Sequence, residues 1–272
     1  MVKVLFIGDI VGYPGLDFVV ENLEILKQKY CSDFVIVNGE NVCNGKGITT
    51  EEADKLFNVG VDVITTGNHI WDNWYSKSLL KDSKRVVRPI NYPPGNLGKG
   101  FVIVKHPVLG IDIAVLQLQG RMFMQTIDCP FRAVDNAVEL IHKKSDTNII
   151  IVDFHADATS EKITMGWHVD GKVSAIVGTH THIQTADAQI LPNGTAYITD
   201  CGMSGPYDSV LGMDKKVALN RYIYQTAFKF MPATEDIHIC GVSIYIDEVS
   251  GQALKIERLI YPAFCQEVNL KN

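Results

Sequence analysis

The feature that most constrains this chain is a short apolar run, typical of a buried strand, that repeatedly ends in a residue able to bind a metal. Five such runs follow one another along the sequence. In α/β proteins the carboxyl ends of neighbouring strands meet at one edge of the sheet, and ligands bind there. We therefore expect the residues after these runs to share one site: Asp9; Glu40 and Asn41; Asn68 and His69; His155; His180 and His182.

Helical patterns lie between these runs and indicate an α/β fold. Apolar residues recur at helical spacing in segments 16–30 and 133–144, and segment 49–60 opens with hydroxyl and acidic residues and closes on a glycine. Another helix is expected around residues 71–82. Strands are expected at residues 3–8, 33–39, 61–67, 148–154, 172–178, 194–202, 239–247 and 253–261.

Residues 100–120 interrupt this alternation, because two apolar runs joined by a turn predict an antiparallel hairpin. A chain of 272 residues can bury a sizeable core and remain one domain. The sequence shows no repeat, low-complexity tract or linker that would divide it. We expect a single domain over residues 1–272, in which mixed sheets form a sandwich flanked by helices.

Charge and composition narrow the classes of function. The net charge of −6 argues against long nucleic acid as the main partner, because Lys and Arg hold phosphate backbones. It is compatible with a small phosphorylated substrate, since bound cations dominate the local field of such a site. No secretory leader or membrane span is expected. Reduced thiols in a cytoplasmic protein are expected from six scattered cysteines without a CxxC pair: Cys31, Cys43, Cys129, Cys201, Cys240 and Cys265.

The residue types after the strands suit a first-row transition metal. Carboxylate, amide oxygen and imidazole together fit Mn, Fe, Zn, Co or Ni. In an extended chain, His180 and His182 would point to the same side, so each could hold one ion of a close pair. Each motif taken alone has an ordinary reading as a turn, a helix cap or a solvated strand end. The five motifs in this order favour a dinuclear site.

No other motif in the sequence supports a competing function as strongly. The chain has no dinucleotide fingerprint, no phosphate loop and no GxSxG elbow. Residues 204–206 could carry a reactive serine at Ser204, but a turn is the favoured interpretation. We assign structural roles to four further histidines, of which His168 is placed in a loop that could line the cleft: His106, His142, His168 and His238.

With these residues identified, the chain resembles the calcineurin-like metallophosphoesterases. Their motifs run in the same order as Asp9, Glu40, Asn68-His69, His155 and His180-Thr181-His182. The chain departs from the common pattern at Val11, where the family has a histidine ligand, and at Glu40, where it has a bridging aspartate. The variant set is similar to the bacterial YmdB-type branch in the stretches GDIVG, NGEN, TTGNHIWD, GTHTHIQTADAQILPNGTAYITDCGM and SGPYDSVLGM.

The resemblance implies a metallo-dependent phosphatase fold, a four-layer α/β/β/α sandwich, and a homo-oligomer. It implies two metal ions per chain, with Fe or Mn first and Zn, Co or Ni as alternatives. Asn41 would replace the ligand missing at Val11. One ion would be held by Asp9, Glu40, Asn41 and His182, and the other by Glu40 as bridge, Asn68, His155 and His180.

Members of the YmdB-type branch hydrolyse 2′,3′-cyclic nucleotides and other small phosphodiesters, so the resemblance predicts attack by a metal-activated hydroxide. His69 would be the general acid. Arg121, Arg132 and the SGPYDS loop are weaker candidates for phosphate contacts. Loops 70–100 and 120–132 would read the substrate.

Three alternatives remain: a phosphomonoesterase, an RNA nuclease, and a metal-containing regulatory or RNA-associated protein with little turnover. Asn68-His69 favours catalysis over pure binding, and the acidic net charge weighs against the nuclease.

Overall fold

In the computed structural model the chain is described over residues 1–229 and 231–264. The predicted thiol of Cys265 and the end of the expected domain lie outside the described residues. The helices are α1 (Gly12–Tyr30), α2 (Thr50–Asn58), α3 (Ser76–Asp82), α4 (Pro130–Lys144), α5 (Thr159–Val169) and α6 (Lys215–Tyr224), with a 3-10 helix at Asn68–Trp71. The strands are β1 (Val2–Ile7), β2 (Asp9–Ile10), β3 (Phe34–Asn38), β4 (Val63–Thr65), β5 (Phe101–Lys105), β6 (Asp112–Gln119), β7 (Ile150–His155), β8 (Ala175–Thr179), β9 (Gln189–Ile190), β10 (Ala196–Ile198), β11 (Met203–Pro206), β12 (Ile237–Ile246) and β13 (Ala253–Tyr261).

These strands form two mixed sheets. The first has the order β2-β11-β12-β1-β3-β4, with β13 also paired to β12. The second has the order β5-β6-β7-β8-β10-β9. In the first sheet β1, β3 and β4 are parallel, and in the second β6, β7, β8 and β10 are parallel. The predicted hairpin is present as β5 and β6, with Phe101 opposite Leu116.

Alternating side chains of each central strand enter different layers. In β1, Val4 and Phe6 face the space between the sheets, whereas Leu5 and Ile7 pack on the outer helices. Helices α1 to α3 cover the first sheet, and α4 and α5 cover the second. Each large apolar side chain buried in these layers stabilises the folded state by roughly 1.5–3 kcal/mol relative to leaving it exposed, which favours a helix layer on each outer face. Both faces of both sheets are therefore covered, and the predicted four-layer α/β/β/α sandwich is confirmed.

Several local predictions need correction. His168 lies within α5, which the sequence did not suggest, and its Nε2 is 2.9 Å from Asp135 Oδ2. Residues 204–206 belong to β11 and are not a turn. The expected helix at 71–82 divides into the 3-10 helix and α3.

Two of the other histidines outside the predicted site have contacts that fit structural roles. His106 Nε2 lies 2.8 Å from the Asp33 carbonyl oxygen, and His238 Nδ1 lies 2.7 Å from the Pro262 carbonyl oxygen. His142 is exposed on α4. No helix within the described residues is long and apolar enough to cross a membrane.

The core between the sheets changes from apolar to polar at the carboxyl ends of the strands. In β3 and β7, Ile36 and Ile151 face the apolar core between the sheets. Two residues further along the same strands, the buried side chains are polar: Asn38 and Asp153. Among the described residues, the space between the sheets thus becomes polar along β3 and β7 at this edge, where the predicted ligands follow the strands.

Candidate metal centre

Three predicted ligands converge on one ring nitrogen of a fourth, His155. His155 ends β7, and its Nε2 lies 2.7 Å from Glu40 Oε1, 3.0 Å from His180 Nδ1 and 3.1 Å from Asn68 Oδ1. Each of these atoms carries a lone pair, and a single N–H can serve only one of them. Glu40, His155 and His180 are close enough to bind one metal ion. This donor set fits a cation.

The ring of His155 is held by its other nitrogen. Nδ1 lies 2.8 Å from Thr179 Oγ1, and the Thr179 hydroxyl donates to Asp153 Oδ1 at 2.7 Å. Because that hydroxyl proton is used, the Thr179 oxygen accepts from His155 Nδ1–H. With a cation in place of the Nε2 proton, the ring would present its Nε2 lone pair to the cluster, the arrangement that outer partners impose on metal-binding histidines.

A second group of predicted ligands lies beside the first. His182 Nε2 is 3.2 Å from the Asn41 side-chain amide and 3.9 Å from Asp9 Oδ1. Asp9 Oδ1 is buried and has no hydrogen-bond partner among the described residues. Burial raises the pKa of the Asp9 carboxyl to about 8. A buried carboxylate oxygen without a donor fits a cation, because a nearby positive charge would offset its desolvation.

The charges of the site point the same way. Burial would raise the pKa of Glu40, but the neighbouring His155 ring outweighs it and holds that pKa below its usual range. Burial would lower the pKa of His155, but Glu40 raises it. The protein alone thus favours a carboxylate–imidazolium pair, and a cation would replace the imidazolium proton. Burial, then the charge of His155, lowers the pKa of His180 to about 3, and burial lowers that of His182, so both rings are neutral.

The histidine pair differs from its predicted geometry. Extended backbone was expected, but β8 ends at Thr179, and His180 and His182 have φ values of 100° and 65°. Their rings diverge, since His180 contacts His155 and His182 contacts Asn41. Positive φ in non-glycine residues is costly and persists where surrounding contacts enforce it.

Gly67 allows the two sheets to approach here. A Cβ at this position would lie 2.2 Å from Glu40 Oε2 and 2.6 Å from His155 Nε2. Any larger residue would displace the donors.

A cavity of about 380 Å³ opens on these groups. His69 lines it, with Nδ1 2.8 Å from Asp72 Oδ2, and the His69 backbone N–H donates to Glu40 Oε2 at 3.1 Å. The positively charged side chains that line this cavity are those of Lys46 and Arg221. Arg121 and Arg132, the candidates from sequence, are not among its lining residues, and Arg132 lines a different cavity.

Sequence reasoning also missed a group of supporting residues. Asp72 and Lys46 follow predicted motifs closely, at GNHIWD and NGENVCNGK, so their positions offered a signal. Asp153 and Thr179 likewise lie within two residues of the predicted ligands His155 and His180, whereas the others come from segments without a predicted ligand: Lys162, Asp200 and Arg221.

The two-sheet sandwich, with carboxylate, amide and imidazole groups gathered at one strand edge, places the protein in the metallophosphoesterase class. The family model for YmdB-like proteins matches residues 5–259, and the chain belongs to this family.

Known relatives agree with this assignment. The chain is 47% identical over 258 residues to a Bacillus subtilis protein named 2′,3′-cyclic-nucleotide 2′-phosphodiesterase, covering 95% of this chain and 96% of the relative. A solved structure of a novel phosphatase from Mycoplasma pneumoniae has a TM-score of 0.88 and 33% identity, covering 95% of this chain and 92% of that one. A 5′-nucleotidase from Candida albicans has a TM-score of 0.57 and 12% identity, covering 95% of this chain and 51% of that one, which shows the shared fold alone.

Proposed function

We propose that this protein is a metal-dependent phosphodiesterase that hydrolyses small phosphodiesters, with 2′,3′-cyclic nucleotides as substrates. The observation that carries the proposal is the convergence of Glu40, Asn68 and His180 on His155 Nε2. The Bacillus subtilis relative, which matches nearly the whole chain, supports the substrate class.

Two metal ions, Fe or Mn, are proposed for the site. Glu40 would contribute to both, with Asn68, His155 and His180 for one ion and Asp9, Asn41 and His182 for the other. The Asn41 amide now presents its nitrogen to His182, and turning the amide would present its oxygen. Bound divalent cations supply Lewis-acid charge to a phosphoryl group and acidify water.

A side chain of the protein would protonate the leaving group. In hydrolysis of a 2′,3′-cyclic phosphate, a water oxygen bonds to phosphorus and releases a proton to solvent, the bond to O2′ breaks, and O2′ takes up a proton. His69 would give that proton from Nε2. Asp72, 2.8 Å from His69 Nδ1, would accept the Nδ1–H bond and stabilise the imidazolium before transfer.

Arg221 and Lys46 would attract the phosphate. We expect Arg221→Gln to raise KM about five- to tenfold with little change in kcat, because a hydrogen bond to a charged group is lost at an exposed position. Steady-state kinetics at low and moderate salt measure this. Lys216→Gln, on the same helix but outside the cavity lining, is the matched control. An unchanged KM for Arg221→Gln would exclude its role.

The function is tested by assay after metal analysis. Purified protein loaded with Fe or Mn should hydrolyse 2′,3′-cyclic AMP faster than 3′,5′-cyclic AMP, and should act on an aryl phosphodiester more than on an aryl phosphomonoester. Faster monoester hydrolysis would support a phosphomonoesterase instead. Bound metal without turnover would support a regulatory protein, and preferred cleavage of longer RNA would support a nuclease.

A cytoplasmic location and a homo-oligomer complete the proposal. The free thiols of Cys31, Cys43, Cys129, Cys201 and Cys240 support a reducing compartment. Exposed Leu219, Tyr222 and Ile223 on α6 offer apolar surface for self-association.

A further inference from the structure

We infer that the buried pair of Lys162 and Asp200 is a positioning device that sets the backbone of the His180-Thr181-His182 turn. Neither residue is a predicted ligand, and neither is proposed to bind the metal, although Asp200 lies in the stretch GTHTHIQTADAQILPNGTAYITDCGM that carries the family resemblance. The inference rests on the proposed function, because the turn it positions carries two proposed ligands.

The pair is fully inside the protein. Lys162, on α5, is 1% exposed and Asp200, after β10, is 0% exposed. The Lys162 ammonium donates to Asp200 Oδ2 and to the Thr179 carbonyl oxygen, both at 2.7 Å. A lysine and an aspartate are rarely buried so completely unless they are paired.

Asp200 connects this pair to the turn. Its Oδ2 also accepts from the Thr181 backbone N–H at 3.0 Å and from the Thr181 hydroxyl at 2.7 Å. Its Oδ1 accepts from the Gly202 N–H at 2.9 Å. The carboxylate is therefore saturated with donors.

These contacts bracket His180. Lys162 holds the carbonyl of the residue before it, and Asp200 holds the N–H and hydroxyl of the residue after it. The N–H of His180 itself donates to Asp9 Oδ2 at 3.1 Å. With φ at 100°, His180 adopts a conformation that L residues disfavour, and the three anchors on consecutive residues account for its persistence.

Stability alone does not explain the pair. Burying two charges costs several kcal/mol each, and replacing such pairs by apolar residues is often neutral or stabilising. What an apolar replacement could not supply is the pair of directed bonds to Thr179 and Thr181. Those bonds orient the rings of His180 and His182 toward His155 and Asn41.

The mildest test is Thr181→Val, which keeps the shape of the side chain and removes the hydroxyl bond to Asp200. Thr181→Ser keeps the donor and is the rescue variant. Lys162→Met and Asp200→Asn are stronger forms of the same change. Metal-free protein is titrated with Co²⁺ and followed by visible absorption, and amide hydrogen exchange is measured in the turn before metal is added.

We expect Thr181→Val and Lys162→Met to weaken Co²⁺ binding about 10- to 100-fold, the usual effect of removing partners that orient ligands. Exchange in the turn should accelerate, the Co²⁺ spectrum should change, and Thr181→Ser should restore both. Met165→Ala, at a buried position of the same helix facing the outer core, is the control for lost stability.

If Met165→Ala weakens Co²⁺ binding as much as Lys162→Met at an equal loss of Tm, the pair is structural only and the inference is wrong. It is also wrong if Thr181→Val matches the unaltered protein in binding and exchange. Failure of the unaltered protein to bind Co²⁺ would instead overturn the proposed function, and the positioning role with it.

Discussion

Glu40→Gln should release metal from the protein and lower kcat/KM for 2′,3′-cyclic AMP by about 10³-fold, because Lewis-acid stabilisation is worth several kcal/mol and 1.36 kcal/mol is a factor of ten. Glutamine keeps the volume of the side chain but loses its charge and turns one oxygen into an N–H donor. Metal content per chain and steady-state kinetics measure the two effects.

The size of this effect follows from the position of Glu40. Its Oε1 lies 2.7 Å from His155 Nε2, and its Oε2 accepts the His69 backbone N–H at 3.1 Å. Both oxygens are thus used, one at the proposed ligand cluster and one at the residue proposed as acid. An amide at this position would misalign at least one of these contacts.

Glu161→Gln is the matched control for Glu40→Gln. Glu161 is also buried, and it accepts the backbone N–H groups of Arg121 and Met122, none of which lines the cavity at the proposed metal centre. We expect this variant to keep its metal and nearly all its activity. A Glu40→Gln protein with full metal content and normal turnover would show that the bridging assignment is wrong.

The sequence predicted the strands, and the polar residues that follow them, better than the helices that connect the strands. Strands such as β3 and β7 are buried on both faces, so their continuous apolar runs are easy to recognise and their polar ends stand out. Helix α5 was missed because Glu161 and Lys162 occupy its buried side, which removes the amphipathic pattern. One of the charges that hide this helix, Lys162, donates to the Thr179 carbonyl oxygen just before His180.

The geometry of the site depended on contacts between distant residues. Nothing near His180 in sequence indicates positive φ, since the bonds that hold the turn come from Lys162, Asp200 and Asp9. Arg221 lay in a helix with a single buried residue, Ala218, and therefore without a periodic apolar face. Local patterns identify donors, but the distances among donors are set by the packing of the whole sandwich.

His69→Ala should keep the metal content of the unaltered protein and lower kcat about 10²- to 10⁴-fold, the usual contribution of a positioned general acid. The imidazole contacts Asp72 and lines the cavity, and only its backbone N–H bonds to Glu40, which alanine preserves. Metal content and kcat on 2′,3′-cyclic AMP are the measurements. His142→Ala, an exposed position on α4, should leave both unchanged.

The leaving group separates an acid from a residue that only supports the fold. A ribose alkoxide needs a proton as it departs, whereas a nitrophenolate departs readily without one. His69→Ala should therefore retain activity within about tenfold on bis(p-nitrophenyl) phosphate while losing most turnover of the cyclic nucleotide. Asp72→Asn should show the same selectivity between the two substrates with a smaller loss of kcat, since the His69 ring remains but is held less firmly in its orientation. Equal losses on both substrates, or loss of metal in proportion to activity, would assign His69 to the metal site instead of to proton transfer.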